Sequence, residues 1–288
     1  MTLQETTSQL PTLSPRGVDT HKGDFGRALL VGGSRGMAGA IALAGLAALR
    51  SGAGTVTLGI ADKCLEIVAS FEPAYMTAPL ACDAEGRLVV AAKDALAVLA
   101  DRATCIGCGP GLGRSPQITG LITWMYQVLP QPIVFDADAL HALAEKPDVL
   151  TEPGGIRILT PHVGEFQELL NVHDLPREKL ERRAGLMAAS NKIIICLKGH
   201  RTLVTDGHQA THNLTGNPGM ATCGSGDVLT GIVTALICQG LTPFDAVRLA
   251  AHVHGLAGDL AANEVGQVSL NASDLLRQLP AAFLQLES

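Results

Sequence analysis

Two periodicities alternate along the chain. Short β-branched or wholly apolar runs occur at 27–31 (RALLV), 55–60 (TVTLGI), 103–106 (ATCI), 133–135 (IVF), 157–159 (RIL) and 193–197 (IIICL), and each predicts a strand. Between and after them, Ala and Leu recur at helical spacing over 39–50, 91–100, 228–238 and 246–260. Residues 203–205 followed by Asp206-Gly207 read as a hairpin. Strand, loop and helix repeated in this way predict an α/β fold, with a largely parallel central sheet and helices on both faces. Residues 1–20 are polar and Pro-containing and read as a loose leader or a surface strap. Nothing rich enough in Pro, Gly or Ser divides the remainder, so 21–288 is expected to be one domain.

In such sheets, ligands bind beyond the carboxyl ends of the strands. The chemically interesting residues fall there: Gly33-Ser34, the glycines of 109–113, Asp136, His162 and Lys198.

Composition narrows the function. Apolar residues make up 47% and charged residues 17%, enough to bury a large core without staples. Aromatics at 3%, a net charge of −6 and the lack of a Lys/Arg cluster argue against nucleic-acid binding. The seven cysteines (Cys64, Cys82, Cys105, Cys108, Cys196, Cys223 and Cys238) mostly lie in apolar runs, and Cys105/Cys108 is a lone CxxC. Buried thiols in a reducing cytosol fit better than a zinc or redox site. The N-terminal stretch lacks the basic and apolar regions of a signal peptide, and no apolar stretch is long and clean enough to span a membrane, so the expectation is cytoplasmic.

The most informative segment is 217–231 (NPGMATCGSGDVLTG). Gly224-Ser225-Gly226 can turn sharply and expose backbone N–H groups, a helix follows at once, and Asp227 falls in its first turn. Such N–H groups at the positive end of a helix form an anion hole for a phosphoryl group in flight, and the adjacent carboxylate can take the proton of an attacking hydroxyl. The plainer alternative is a tight turn whose Asp offsets the helix dipole. The Walker A pattern is absent. At 33–39 the glycines are spaced Gly33-x-x-Gly36-x-x-Gly39, which is not the dinucleotide fingerprint, and small-residue packing of helix on strand explains them as well.

Other segments carry two readings each. Gly107-Cys-Gly-Pro-Gly-Leu-Gly113 is a rigid loop, either a structural turn or a surface that ligand approaches closely. In 159–165 (LTPHVGE), Glu165 can cap the helix by reaching back to the backbone at His162, or His162 can contact substrate with Glu165 near phosphate and metal. Lys198 can meet nucleotide phosphates or be a solvated strand end. Asp136 and Asp138 can orient Mg²⁺ or cap a helix.

Together and in this order, KGDFG…GGSRGMAGA (22–40), ALRSGAGTVTL (48–58), GCGPGLG (107–113), VFDADAL (134–140), LTPHVGE (159–165), LKGHRT (197–202) and GNPGMATCGSGDVLTG (216–231) resemble the ADP/ATP-dependent NAD(P)H-hydrate dehydratases of the ribokinase-like superfamily, over roughly 20–280. Cys223 and Ser225 stand where that family often has Gly and Thr, and His141 where it often has Asn. The resemblance implies a three-layer αβα fold. It also implies a reaction in which the 6-hydroxyl of the S-epimer of hydrated NADH or NADPH is phosphorylated and phosphate then leaves, giving the intact cofactor. It implies Mg²⁺, and ADP rather than ATP as donor, with AMP and phosphate released. Asp227 is then the base, and the amides of Gly224, Ser225 and Gly226 the anion hole. Ala40, Gly109, Gly111, Gly113, His162 and Asp227 contact the hydrate. Lys198, Gly199, His200, Arg201, Thr202 and Gly226 bind the nucleotide, and Glu165 and Asp136 are candidate metal ligands. The resemblance further implies a separate hydrate epimerase as partner and a homo-oligomer, as large as a tetramer. The alternatives are a ribokinase-like kinase of a vitamin precursor such as hydroxyethylthiazole, and a non-catalytic nucleotide sensor.

Overall fold

The β-branched runs form the middle of a single sheet. In a computed structural model, which describes residues 4–5 and 9–286, ten strands are hydrogen-bonded side by side. They are β1 (Gln4–Glu5), β2 (Arg27–Gly32), β3 (Thr55–Ala61), β4 (Met76–Leu80), β5 (Cys105–Cys108), β6 (Ile133–Phe135), β7 (Arg157–Leu159), β8 (Ile194–Leu197), β9 (Leu203–Thr205) and β10 (Gln209–His212). The helices are α1 (Ala38–Arg50), α2 (Leu65–Ala69), α3 (Lys93–Ala100), α4 (Pro116–Val128), α5 (Asp138–Ala144), α6 (Val163–Leu169), α7 (Arg177–Asn191), α8 (Ser225–Cys238), α9 (Pro243–Val265) and α10 (Ala272–Leu284).

The strand order is β1-β10-β9-β8-β7-β6-β5-β2-β3-β4. Only β8–β9 and β9–β10 pair antiparallel; β9–β10 is the hairpin expected at Asp206-Gly207. Strands β5 to β8 are buried along their whole length, as a parallel sheet covered on both faces requires. Helices α1, α8, α9 and α10 pack on one another in one layer, and α4 to α7 form the other. This is the expected three-layer α/β arrangement.

Two details position the site. Helices α1 and α8 approach so closely that a Cβ at Gly231 would lie 2.1 Å from the Ala44 carbonyl oxygen, which fixes where α8 begins. At the far end of β7, Arg157 is wholly buried without a carboxylate partner. Its guanidinium donates to the carbonyls of Tyr126 (2.6 Å), Leu129 (2.5 Å) and Gln131 (2.9 Å) in and just after the last turn of α4; Tyr126 O also accepts from Gly154 N (2.9 Å), whereas the Leu129 and Gln131 carbonyls have no other donor among the described residues. Burial lowers its pKa to about 10, still charged at neutral pH.

Of the leader expected over 1–20, Gln4–Glu5 form β1, an edge strand parallel to β10, residues 1–3 and 6–8 lie outside the described residues, and the chain is followed without a break from Gln9. Residues 9–20 carry no helix or strand. Arg248 donates to the Gln9 carbonyl (2.9 Å), and Arg16 lies over the Phe25 ring (3.8 Å) and donates to the Gly52 carbonyl (2.8 Å). Cys105 and Cys108 sit three apart on β5 and so face opposite sides of the sheet; both are free, and burial pushes both thiols up.

Candidate active site

Backbone hydrogen bonds stitch the strand ends into one edge. Gly33 N donates to Pro110 O (2.8 Å), Gly109 N to Val31 O (3.1 Å), Asp136 N to Cys108 O (3.0 Å), Thr160 N to Phe135 O (3.1 Å) and Lys198 N to Pro161 O (2.8 Å). The glycines are required for this. Gly109 has φ +133°, and a Cβ there would lie 1.8 Å from the Asp136 carbonyl oxygen. Gly111 has φ +64°, and its Cβ would meet Met37 O and the Ala40 side chain. Ala40, at the start of α1, therefore borders the glycine loop. Gly113 N donates to Asp138 Oδ2 (2.8 Å), so Asp138 holds that loop.

Opposite this edge, α8 begins. Gly224 takes the left-handed conformation (φ +87°) as N-cap, and the helix starts at Ser225, three residues earlier than its apolar run, because those three residues form its polar first turn. The stretch before it is anchored to α9: Asp259 accepts from Gly216 N (2.9 Å) and Asn217 Nδ2 (3.0 Å). The Ser225 amide reaches Thr222 O at 3.4 Å, while the amides of Gly224, Gly226 and Asp227 donate to no acceptor among the described residues. Cys223 is exposed, and Gly224, Gly226 and Asp227 are half-buried, so the turn is open to ligand rather than sealed in the core.

Lys198 extends from β8 into this space. Its Nζ lies 2.6 Å from Asp136 Oδ1 and 3.8 Å from Glu165 Oε2, and a Cβ at Gly226 would lie 3.1 Å from it. Lys198 is thus not the solvated strand end that one reading allowed. Asp136 is 1% exposed, and its second oxygen accepts from Thr230 Oγ1 (2.9 Å). Burial alone would raise the Asp136 pKa, but Lys198 and the hydroxyls of Thr160 and Thr230 outweigh it and hold the carboxyl below its usual range. Burial and the Asp136 charge have the opposite effect on Asp227, raising it from 3.8 to about 7. Asp227 has no hydrogen-bond partner among the described residues. One ammonium therefore faces a fully committed carboxylate and an uncommitted one poised near neutrality, the pairing expected of a general base.

His162 and Glu165 realise the capping reading without excluding the other. Glu165 accepts from His162 N (2.7 Å) and its own amide donates to His162 Nδ1 (3.2 Å), while the same carboxylate faces Lys198. The loop after Lys198 is strained at Gly199 (φ +136°) and Arg201 (φ +54°). Arg177 on α7 fastens it, donating to the carbonyls of Leu197 (3.0 Å) and Lys198 (2.9 Å). Gly199, His200 and Arg201 are exposed, and Thr202 donates back to Gly199 O (3.1 Å). Beside Arg201 a cavity of about 400 Å³, lined by Val204, Thr211, Asn213, Thr215 and His252, opens between the hairpin and α9.

The structure thus gathers Asp227, Gly224, Ser225, Gly226, Lys198, Asp136, Glu165 and His162 around one point, with Ala40 and the glycine loop alongside. Sequence reasoning missed Arg177, Thr230, Asp259 and His254, which hold these groups from other elements. Among the described residues, no group of three or more His, Cys, Asp or Glu is arranged to hold an ion, and no helix is long and apolar enough to cross a membrane.

Residues 28–281 match the model of the NAD(P)H-hydrate dehydratase family. A bifunctional NAD(P)H-hydrate repair enzyme from Moorella thermoacetica is 44% identical over 287 residues, covering 97% of this chain and 53% of that protein. The chain spans about half the length of the curated relatives it matches. An ADP/ATP-dependent NAD(P)H-hydrate dehydratase from Bacillus subtilis, co-crystallised with ATP and Mg²⁺, is 30% identical, with a TM-score of 0.80 over 95% of this chain and 94% of that one. A hydroxyethylthiazole kinase from Pyrococcus horikoshii, 15% identical with a TM-score of 0.60 over 89% of this chain and 88% of that one, shares the fold alone.

Proposed function

The chain belongs to the NAD(P)H-hydrate dehydratase family, and from that membership we propose that it restores NADH or NADPH from the S-epimer of the hydrate, using a nucleotide phosphoryl group, with ADP as the favoured donor. The observation that carries this reading is the carboxyl of Asp227, partnerless and poised near pH 7, beside unpaired amides at the open N-terminus of α8.

Asp227 takes the proton from the ring 6-hydroxyl as its oxygen attacks the terminal phosphorus of the nucleotide. Negative charge growing on the transferring group meets the amides of Gly224, Ser225 and Gly226 and the Lys198 ammonium. From ADP, AMP is the leaving group. The phosphorylated carbon then loses phosphate, which takes the electrons of the C–O bond, and a proton leaves the adjacent ring carbon, restoring the double bond. Hydroxide is a poor leaving group and phosphate a far better one, which explains a kinase-like fold performing a dehydration. Ala40, Gly109, Gly111, Gly113 and His162 line the hydrate side. Lys198, Gly199, His200, Arg201, Thr202 and Gly226 serve the nucleotide, whose nucleoside fits the cavity beside Arg201.

The donor set suits Mg²⁺ held by few carboxylates and completed by phosphate oxygens and water. Asp136 has both oxygens engaged by Lys198 and Thr230, whereas Glu165 is bonded to the His162 amide through Oε2 and its Oε1 is approached only by the His162 ring at 3.4 Å, so Glu165 would be the protein ligand, through Oε1, and Asp136 its neighbour. Bound there, the ion would neutralise the phosphates among these acids. Because only one hydrate epimer is consumed, an epimerase is the proposed functional partner, and the site of action is the cytoplasm.

The test is incubation of the protein with NADPH hydrate, Mg²⁺ and ADP or ATP, read at the reduced-nicotinamide absorbance band. NADPH should appear with either nucleotide, faster with ADP, and none without nucleotide. Absence of NADPH with both nucleotides removes the assignment; a faster rate with ATP corrects only the donor.

A further inference from the structure

The imidazole of His254, on α9, rests against the first turn of α8. Its Nε2 lies 2.9 Å from the Ser225 carbonyl oxygen and 3.2 Å from Ser225 Oγ. A carbonyl oxygen has no proton to give, so Nε2 must be the donor, and this defines the tautomer as Nε2–H with Nδ1 bare. Burial keeps the ring neutral, moving its pKa down to about 4, with Lys198 and Asp136 as the charged groups that act on it.

The same N–H also faces Ser225 Oγ. The hydroxyl oxygen is therefore an acceptor toward His254, and its own proton must point elsewhere. Among the described residues, the Ser225 hydroxyl has no other hydrogen-bond partner, although Ser225 is only 8% exposed. A nearly buried O–H with no acceptor stands in the same turn as the unpaired amides of Gly224 and Gly226, where negative charge would be welcome.

We propose that His254 is a positioning residue that clamps Ser225 through both of its oxygens, so that the Ser225 hydroxyl proton becomes a further donor to the transferring phosphoryl group. The inference rests on the phosphoryl-transfer reading of this turn and adds to it a side-chain donor and the residue that aims it. Ser225 touches the reacting group; His254 acts only through Ser225.

The experiment uses the full chain with NADPH hydrate, Mg²⁺ and the better of ADP and ATP. It compares wild type, His254→Leu, His254→Gln, Ser225→Ala and the Ser225→Ala/His254→Leu double variant, with thermal melts to establish folding. A parallel measurement reads the tautomer of His254 in the wild type by ¹⁵N NMR. Losing one preorganised donor typically lowers rates by ~10²-fold or more. The expected result is a fall in kcat of about 10- to 10²-fold for His254→Leu and for Ser225→Ala, with nucleotide KM changed less than about threefold. His254→Gln, whose amide N–H can replace Nε2–H, should recover most of the loss. The double variant should be no worse than the weaker single one, because both remove the same donor. The ¹⁵N spectrum should show the Nε2–H tautomer, with no titration near neutral pH.

An undiminished kcat in folded His254→Leu, a Gln variant as poor as Leu, additive losses, or an Nδ1–H tautomer would each overturn the clamp. If His254→Leu does not fold, the Gln variant, Ser225→Ala and the tautomer decide it. A wild type without turnover removes the functional reading and the clamp's role with it, whereas wild-type turnover with normal His254 variants removes only the clamp.

Discussion

Replacing Asp227 by Asn should make the protein more stable while it stops working. The carboxyl titrates near pH 7 in the fold against an ordinary value of 3.8, chiefly because it is buried beside Asp136. Each tenfold change in an ionisation constant corresponds to roughly 1.4 kcal/mol, so keeping this group ionised in the folded state costs about 4 kcal/mol at alkaline pH. The sign follows from linkage: the folded pKa is the higher one, so the cost is absent below the unfolded value, accumulates as pH rises from there, and is complete above the folded value. At pH 5 it amounts to only ~1.6 kcal/mol. Asn removes the charge but leaves an amide without partners, which offsets roughly 1–2 kcal/mol. The net gain is then about 2 kcal/mol at pH 8.5, a rise in Tm of roughly 5 °C for a domain of this size, and close to nothing at pH 5. Scanning calorimetry of both proteins at the two pH values reads this, and a turnover assay beside it should show a loss of ~10²–10⁴-fold with nucleotide binding retained. A Tm difference that does not grow with pH would refute the burial argument. Undiminished turnover in the Asn variant would remove Asp227 as the base, and nucleotide binding without turnover in either protein would favour a nucleotide sensor over an enzyme.

In the wild type, kcat should rise with pH through about 7, as Asp227 loses its proton, and level off above it, which a pH–rate profile measures. Lys198→Met leaves Asp136 buried without its cation and should lower stability by roughly 3–5 kcal/mol in denaturant titrations near neutral pH. That gap should close as pH falls below the ordinary Asp value of 3.8, since the pair's contribution vanishes once Asp136 is protonated. Arg157→Leu strands the Leu129 and Gln131 carbonyls just after α4 and should cost roughly 3 kcal/mol or more in the same titrations, while kcat per folded molecule is unchanged, because Arg157 lies at the end of β7 away from the site.

The central strands were legible because their residues are wholly apolar and often β-branched, a signal that survives without context. Strand β4 was not: Met76–Leu80 contains Pro79, shows no alternation and lies on the sheet edge, with Met76 exposed. Helix α7 gives no clear sequence signal because it buries only Leu180, Ala184, Gly185 and Ala188 among charged neighbours. The same division holds in the site. Gly224, Ser225, Gly226 and Asp227 are contiguous, so their chemistry can be read locally. The Lys198–Asp136 pair spans 62 residues and the His254–Ser225 contact 29, and neither separation has a period that betrays it. Lys198 and Asp136 each stood out at a strand end, but only the sheet order brings them within reach of each other. Glu165 shows the converse: its capping role is written in the three-residue spacing from His162, whereas its approach to Lys198 depends on β7 lying beside β8.

The claim that phosphate travels from nucleotide to the ring oxygen at the start of α8 can be followed with one isotope. NADPH hydrate carrying ¹⁸O in its 6-hydroxyl is turned over with unlabelled nucleotide, and the inorganic phosphate is analysed by mass spectrometry. Transfer before elimination predicts that the ¹⁸O ends in phosphate, one atom per NADPH formed. Label recovered in water, with phosphate unlabelled, would mean that the hydroxyl departs directly and that the turn at Asp227 does something else.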